Sequence, residues 1–185
     1  MISKISSSAP VEVITVTNDG GVSPIGYVAI RPLVQQIDGD GNVIDHGVIY
    51  NVPYMRIQGG SNAVILDPQI GDIGIAIFCD KDISAVKATG AAAPPGSARR
   101  FAMSDAVYLQ SILSSAPSQY VRFSDAGVEV VSPVKVHIQA PTGQFDIDTL
   151  DINGSALRHN GVNIGSTHTH TGVTPGSGVS GAPST

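Results

Sequence analysis

Two imidazoles stand one residue apart near the end of the sequence, in Gly165-Ser166-Thr167-His168-Thr169-His170-Thr171-Gly172. In extended backbone, alternate side chains share a face, so His168 and His170 would present both rings together. Two nitrogens are too few for a closed metal site, and no carboxylate or cysteine follows His170. Three copies meeting on an axis would bring six neutral imidazoles together. That shell suits an octahedral first-row divalent ion such as Fe(II) better than tetrahedral zinc. The pair therefore asks for a trimer. Taken alone, a short His-x-His in a loop is more often a solvated pair.

The stretch that must carry this pair, Gln119 to Asn163, is a series of short alternating pieces. These are Tyr120-Val121-Arg122-Phe123, Val128-Glu129-Val130, Val134-Lys135-Val136-His137-Ile138, Phe145-Asp146-Ile147-Asp148 and Leu150-Asp151-Ile152. Turn residues separate them, as at Asp125-Ala126-Gly127, Ser132-Pro133, Asn153-Gly154 and Asn160-Gly161. Period-two alternation gives each piece one face to bury, yet strands of three to five residues cannot close a core within one chain of this length. Three chains wound about one axis would bury Val128, Val130, Val134, Val136, Ile138, Phe145 and Ile147. Glu129, Lys135, His137, Gln139, Asp146 and Asp148 would then face outward, and His137 and His159 are read as surface residues. A monomeric sandwich is the simpler alternative.

Upstream, the chain reads as a small antiparallel barrel or sandwich. Short β-type runs at 11–17, 26–34, 43–44, 48–52, 63–66 and 73–78 are separated by Gly-rich turns. Asp38-Gly39-Asp40-Gly41-Asn42 has the odd-position acids of a calcium loop. Val43 stands where such a loop needs Gly, and Ile49 where it needs Glu, so a hairpin turn is expected. Residues 1–10 are read as an arm, 11–87 as the barrel, 88–118 as a linker rich in Ala, Pro and Gly, 119–163 as the shaft and 164–185 as the apex. Within the linker, Ser104 to Leu113 fits either a short capped helix or strand fragments.

Composition limits the function. Charged residues are 14% of the 185 and the net charge is −5, with ten scattered basic residues and no tryptophan. Nucleic-acid binding, which needs clustered Lys and Arg, is not expected, nor is single-strand or sugar stacking on aromatics. Cys79 is the only cysteine, so no intrachain disulfide forms, and it is expected to be a buried, inert thiol. The first ten residues lack a signal-peptide core and no segment reaches membrane-helix length, so synthesis and folding in a cytoplasm are expected. A cupin-type metalloenzyme would need a carboxylate and a further His after the pair, and no Glu follows Glu129 and no Asp follows Asp151. Glycoside hydrolysis would need two suitably placed carboxylates, whereas the acids here fall mostly in turns or on outer faces.

Several stretches together resemble one family. Val52-Pro53-Tyr54, Gly59-Gly60, Asp67-Pro68-Gln69-Ile70-Gly71-Asp72-Ile73-Gly74-Ile75 and Cys79-Asp80-Lys81-Asp82 resemble the N-terminal barrel of the central spike proteins of contractile-tailed bacteriophages. Arg100-Phe101 followed by Ser104-Asp105-Ala106 is similar to that family's link from barrel to shaft, and Gly165 to Gly172 to its His-x-His apex. The resemblance implies an all-β homotrimer: an OB-type N-terminal barrel attached to the baseplate hub, an intertwined triple-stranded β-helix, and a tip where an iron ion sits between six histidines. His168 and His170 of each chain would be the ligands, and further ions on the shaft axis are compatible with this. The implied role is mechanical: a non-enzymatic virion component at the baseplate tip, driven through the host outer membrane by sheath contraction. Zinc and nickel also suit imidazole. Because only neutral imidazole binds a metal, occupancy is expected to fall below about pH 6. A trimeric receptor-binding fibre or adhesin is the alternative role.

Overall fold

Alternation in five strands sends one side chain of every two into a shared core. The computed structural model describes residues 7–166, 168, 169, 171, 172 and 176, and the chain divides into two units, Met1–Pro133 and Val134–Thr185. In the first, β1 (Ser8–Val16), β2 (Tyr27–Pro32), β5 (Ile49–Pro53), β8 (Ile73–Phe78) and β9 (Ala106–Ser111) form an antiparallel sheet in the order β5-β2-β1-β8-β9. The core is Val11 and Val13, Val28 and Ile30, Val52 and Tyr54, Ala76 and Phe78, and Ala106 and Tyr108. Each pair is separated by one residue, which is the strand period. Bulges between Val13 and Thr15 and between Val28 and Ile30 bend the strands.

The sheet curls into a half-barrel. Its two edges meet at a parallel bridge between Tyr54 and Tyr108, where the Met55 N–H donates to the Tyr108 carbonyl at 3.0 Å. Gly74 makes this closure feasible, because a Cβ there would lie 2.5 Å from the ring of Tyr108. Two hairpins stand off the sheet: β3 (Gln36–Ile37) with β4 (Val43–Ile44), and β6 (Ile57–Gly59) with β7 (Asn62–Val64). The expected turn at Asp38 is the loop of the first. The Asp38 carboxylate accepts the N–H groups of Asp40 and Asn42 and the Asn42 amide, so it is filled with donors rather than aimed at a cation.

Residues 88–118, read from composition as a linker, contain sheet structure. A short helix α1 (Ser84–Thr89) ends at Gly90 in the left-handed conformation, φ 63°. The undecided Ser104–Leu113 stretch begins in a 3₁₀ turn, Met103–Asp105, and continues as β9. β1 likewise starts inside the expected N-terminal arm, since Ser8 to Pro10 pair with β8. A last hairpin of the unit joins β10 (Tyr120–Ser124) to β11 (Gly127–Val131).

In the second unit, the paired strands among the described residues are β12 (Arg158–His159) and β13 (Val162–Asn163), joined by Asn160-Gly161 with both φ values positive. The expected strands at Val134–Ile138, Phe145–Asp148 and Leu150–Ile152 belong to no ladder among the described residues, although their alternation is that of strands.

Candidate functional site

The expected metal ligands follow the β12–β13 hairpin. The Ile164 N–H donates to the Leu157 carbonyl at 2.7 Å and the Gly165 N–H to Asn163 Oδ1 at 3.0 Å, which fixes the exit of the hairpin. The chain then turns so that the His168 N–H donates to the Gly165 carbonyl at 3.0 Å. His168 Nδ1 lies 2.6 Å from the same oxygen. A carbonyl only accepts, so Nδ1 carries the proton and Nε2 of the neutral ring carries the lone pair. Orientation of a ring by a carbonyl on its other nitrogen is common among metal-binding histidines. His168 is exposed, and His170 lies outside the described residues. His137 and His159 are exposed as well. Among the described residues, no three His, Cys, Asp or Glu side chains gather in one chain to hold an ion.

The expected inward face of the shaft is the largest feature the sequence singled out. Val128, Val130, Val134, Val136, Ile138, Phe145 and Ile147 are all exposed, with Val134 at 86% and Ile138 at 80%, and so are Leu150 and Ile152 beyond them. Isolated exposed apolar residues are ordinary, but a regular series of them marks a surface that something covers.

Two buried polar networks, which the sequence did not reveal, hold the first unit together. Arg56 forks onto Asp67, with Nη2 at 2.6 and 2.8 Å from the two carboxylate oxygens and Nε at 3.0 Å from Oδ1, and both side chains are almost fully buried. The Tyr54 hydroxyl donates to Asp67 at 2.9 Å and accepts from the Asn18 amide and the Gly26 N–H. The Arg56 Nη1 donates to the Ser23 carbonyl at 2.8 Å. Loop 18–26 is thereby tied to the end of the barrel.

The second network holds the segment 96–100. Arg99 donates to Asp105 at 2.6 and 2.9 Å and to Asp82 at 2.7 Å. Asp82 also accepts from the Ser97 hydroxyl and the Ser84 N–H, and Asp105 from the Ile83 N–H. Hydrogen bonds from Ser84, more than the charge of Arg99, hold the Asp82 carboxyl down at about 2. The Arg99 hydrogen bonds lower Asp105. Both acids are therefore firmly ionised acceptors whose partners are supplied by the fold, which is the chemistry of a clamp. Burial raises the Cys79 thiol, which disfavours the reactive thiolate.

The Asp67–Asp72 motif has a physical explanation here. Gly71 has φ +90°, the Asp72 N–H donates to the Gln69 carbonyl, and the Asp72 carboxylate accepts the Gln69 N–H at 2.9 Å. The turn so formed brackets β1, with the Gly71 N–H donating to the Val13 carbonyl and the Val13 N–H to the Asp72 carbonyl, both at 2.9 Å. Beside it, Leu66, Pro68, Asp72, Tyr108, Gln110 and Ser111 line a shallow pocket of about 290 Å³.

Residues 23–111 match the family model of the phage protein Gp138 N-terminal domain. The similarity supports a phage structural protein. The matched span covers slightly less than half of the chain and runs from the loop before β2 to the last residue of β9, so it ends where the sheet ends. A place in the virion is consistent with it. No curated protein matches the chain significantly.

Proposed function

We propose that the chain is a homotrimeric spike at the tip of a contractile phage baseplate, which pierces the host outer membrane when the sheath contracts. The carrying observation is the regular series of exposed apolar side chains from Val134 to Ile152, in a chain whose N-terminal part is similar to a phage protein domain. Three copies winding these strands about one axis would supply cover for the exposed apolar side chains. The intertwined triple-stranded β-helix of residues 119–163 is the form that fits pieces this short.

The first unit would be the attachment platform to the baseplate hub. Its sheet order, with the parallel bridge between the edges of β5 and β9, supports reading it as a partly open OB-type barrel. The clamps at Arg56 and Arg99 suit a part that transmits force, because they pin loops without creating a reactive group.

His168 and His170 of three chains would hold one metal ion, Fe(II) by preference, at the apex. The imidazole orientation set by the Gly165 carbonyl supports this for His168. A bound ion would cross-link three chain ends, which are otherwise the loosest part of a fold, so that binding energy becomes folding energy of the tip. Elemental analysis of the purified protein tests the apex. About one iron per three chains is expected, lost in the His168→Ala/His170→Ala variant while the solution mass stays that of the trimer. A trimer that carries no metal would remove the apex from the proposal.

A further inference from the structure

Two buried side-chain polar atoms among the described residues make no hydrogen bond, the Tyr108 hydroxyl and the Gln110 nitrogen. They belong to one place. Tyr108 and Gln110 stand two apart on β9 and so share a face, and both line the pocket of about 290 Å³ beside the Asp67–Asp72 turn. Tyr108 is 1% exposed, so bulk water does not reach its hydroxyl. Native folds rarely leave such groups unpaired, because an unmet buried donor keeps its full desolvation cost. Two of them in one cavity mark a place built to meet something polar.

The rest of the lining limits what that is. Asp67 is taken up by the Arg56 fork. Asp72 accepts the Gln69 N–H and takes part in none of the ion pairs among the described residues. An anion would therefore meet a carboxylate that no cation neutralises. A cation would leave the Gln110 N–H groups unpaired, since an ammonium or guanidinium accepts nothing. Burial, with the Asp72 charge and against the nearby Ser111 hydroxyl, raises the Tyr108 phenol, so Tyr108 keeps its proton to donate. The fitting group must accept and donate without charge, which a hydroxyl does with one atom. A lone carboxamide does so in a single plane, whereas Tyr108, Gln110 and Ser111 come from β9 and Asp72 from the turn. Adjacent hydroxyls on a carbon skeleton reach partners on both elements, and Leu66 and Pro68 supply apolar wall for the skeleton. The volume lies at the small end of ligand sites, which span about 300–1,000 Å³. The Tyr108 ring is in the core, so hydrogen bonds rather than stacking would hold the ligand.

We propose that this pocket binds a small uncharged polyol, whose hydroxyls accept from Tyr108 and Gln110 and donate to Asp72. The inference stands on the first unit alone and is independent of self-association.

Titration of the full chain with myo-inositol, followed in proton–nitrogen correlation spectra, tests this. The Gln110 side-chain amide and the Leu66 and Ser111 backbone amides are expected to shift saturably. Tyr108→Phe keeps the ring and removes the hydroxyl, and Gln110→Met removes the amide. Each is expected to weaken binding about two- to tenfold, the usual worth of one hydrogen bond, with the signals of the other strands in place, and the double variant to abolish it. If Tyr108→Phe does not fold, Gln110→Met is read alone. Acetamide, ammonium and phosphate are titrated alongside. Saturation by any of these without saturation by myo-inositol would overturn the ligand class. No saturation by any of the four would show a pocket for ordered water only and overturn the site, as would binding undiminished in the variants. None of these results depends on the mass of the assembly.

Discussion

Gly74 and Tyr108 meet where the sheet closes, and the contact allows no added carbon. A Cβ at residue 74 would lie 2.5 Å from three atoms of the Tyr108 ring and hydroxyl, and the ring is buried in the core, so it cannot swing aside. Gly74→Ala should destabilise the first unit by about 1–3 kcal/mol, the usual cost of overpacking, read as a drop in thermal midpoint. Ile30→Ala, which empties part of the same core, should cost about 2–5 kcal/mol. Ion pairs divide in the same way by burial. Arg56→Ala leaves the Asp67 carboxylate buried without its guanidinium, whereas Arg31→Ala breaks a half-exposed pair with Glu12. The first should lower the midpoint far more than the second, which falls in the range of about 0–1 kcal/mol for surface pairs. Equal losses would show that the Arg56 fork does not hold the barrel. Neither fork was legible in the sequence, because Arg56 and Asp67 are eleven residues apart and meet only when the β6–β7 hairpin between them returns the chain.

At the scale of elements, what was legible is what alternation alone determines. β1, β2, β5 and β8 fall within the short β-type runs read from the sequence, and the hairpins at Asp38 and Asn160-Gly161 follow from their turn residues; the buried face of β8 was not legible, because both faces are apolar and Ala76 and Phe78, not Ile77, enter the core. β9 was not decided, because Ser104-Asp105 is also a helix-capping signal. Its real use is tertiary: the Asp105 carboxylate is fully buried against Arg99 and the Ile83 N–H. α1 was missed, although Gly90 marks its end. The Arg99 clamp carries a pH dependence whose sign follows from its acids. The Asp82 carboxyl sits at about 2 in the folded chain and Asp105 is lowered, against about 3.9 for an unfolded aspartate. Their contribution is therefore fully present above about pH 4 and is lost as pH falls through about 2. The thermal midpoint should decline across that window. Arg99→Met should be less stable at pH 7 and show a shallower decline, since the Arg99 hydrogen bonds are the chief cause of the Asp105 shift. An unchanged slope in that variant would contradict the clamp.

At the scale of the whole molecule, the second unit reads differently from the first. Its strand pattern is as clear in the sequence as that of the barrel, yet residues 134–152 belong to no ladder among the described residues. A pattern specifies a face to bury, and it does not specify whose surface buries it. For the same reason the His168 ring can be oriented by its own chain while a complete metal shell would need others. The account stands or falls on self-association. Light scattering of the full chain measures it most directly: the account predicts three times the 19.0 kDa chain mass, and a particle of one chain mass would contradict it.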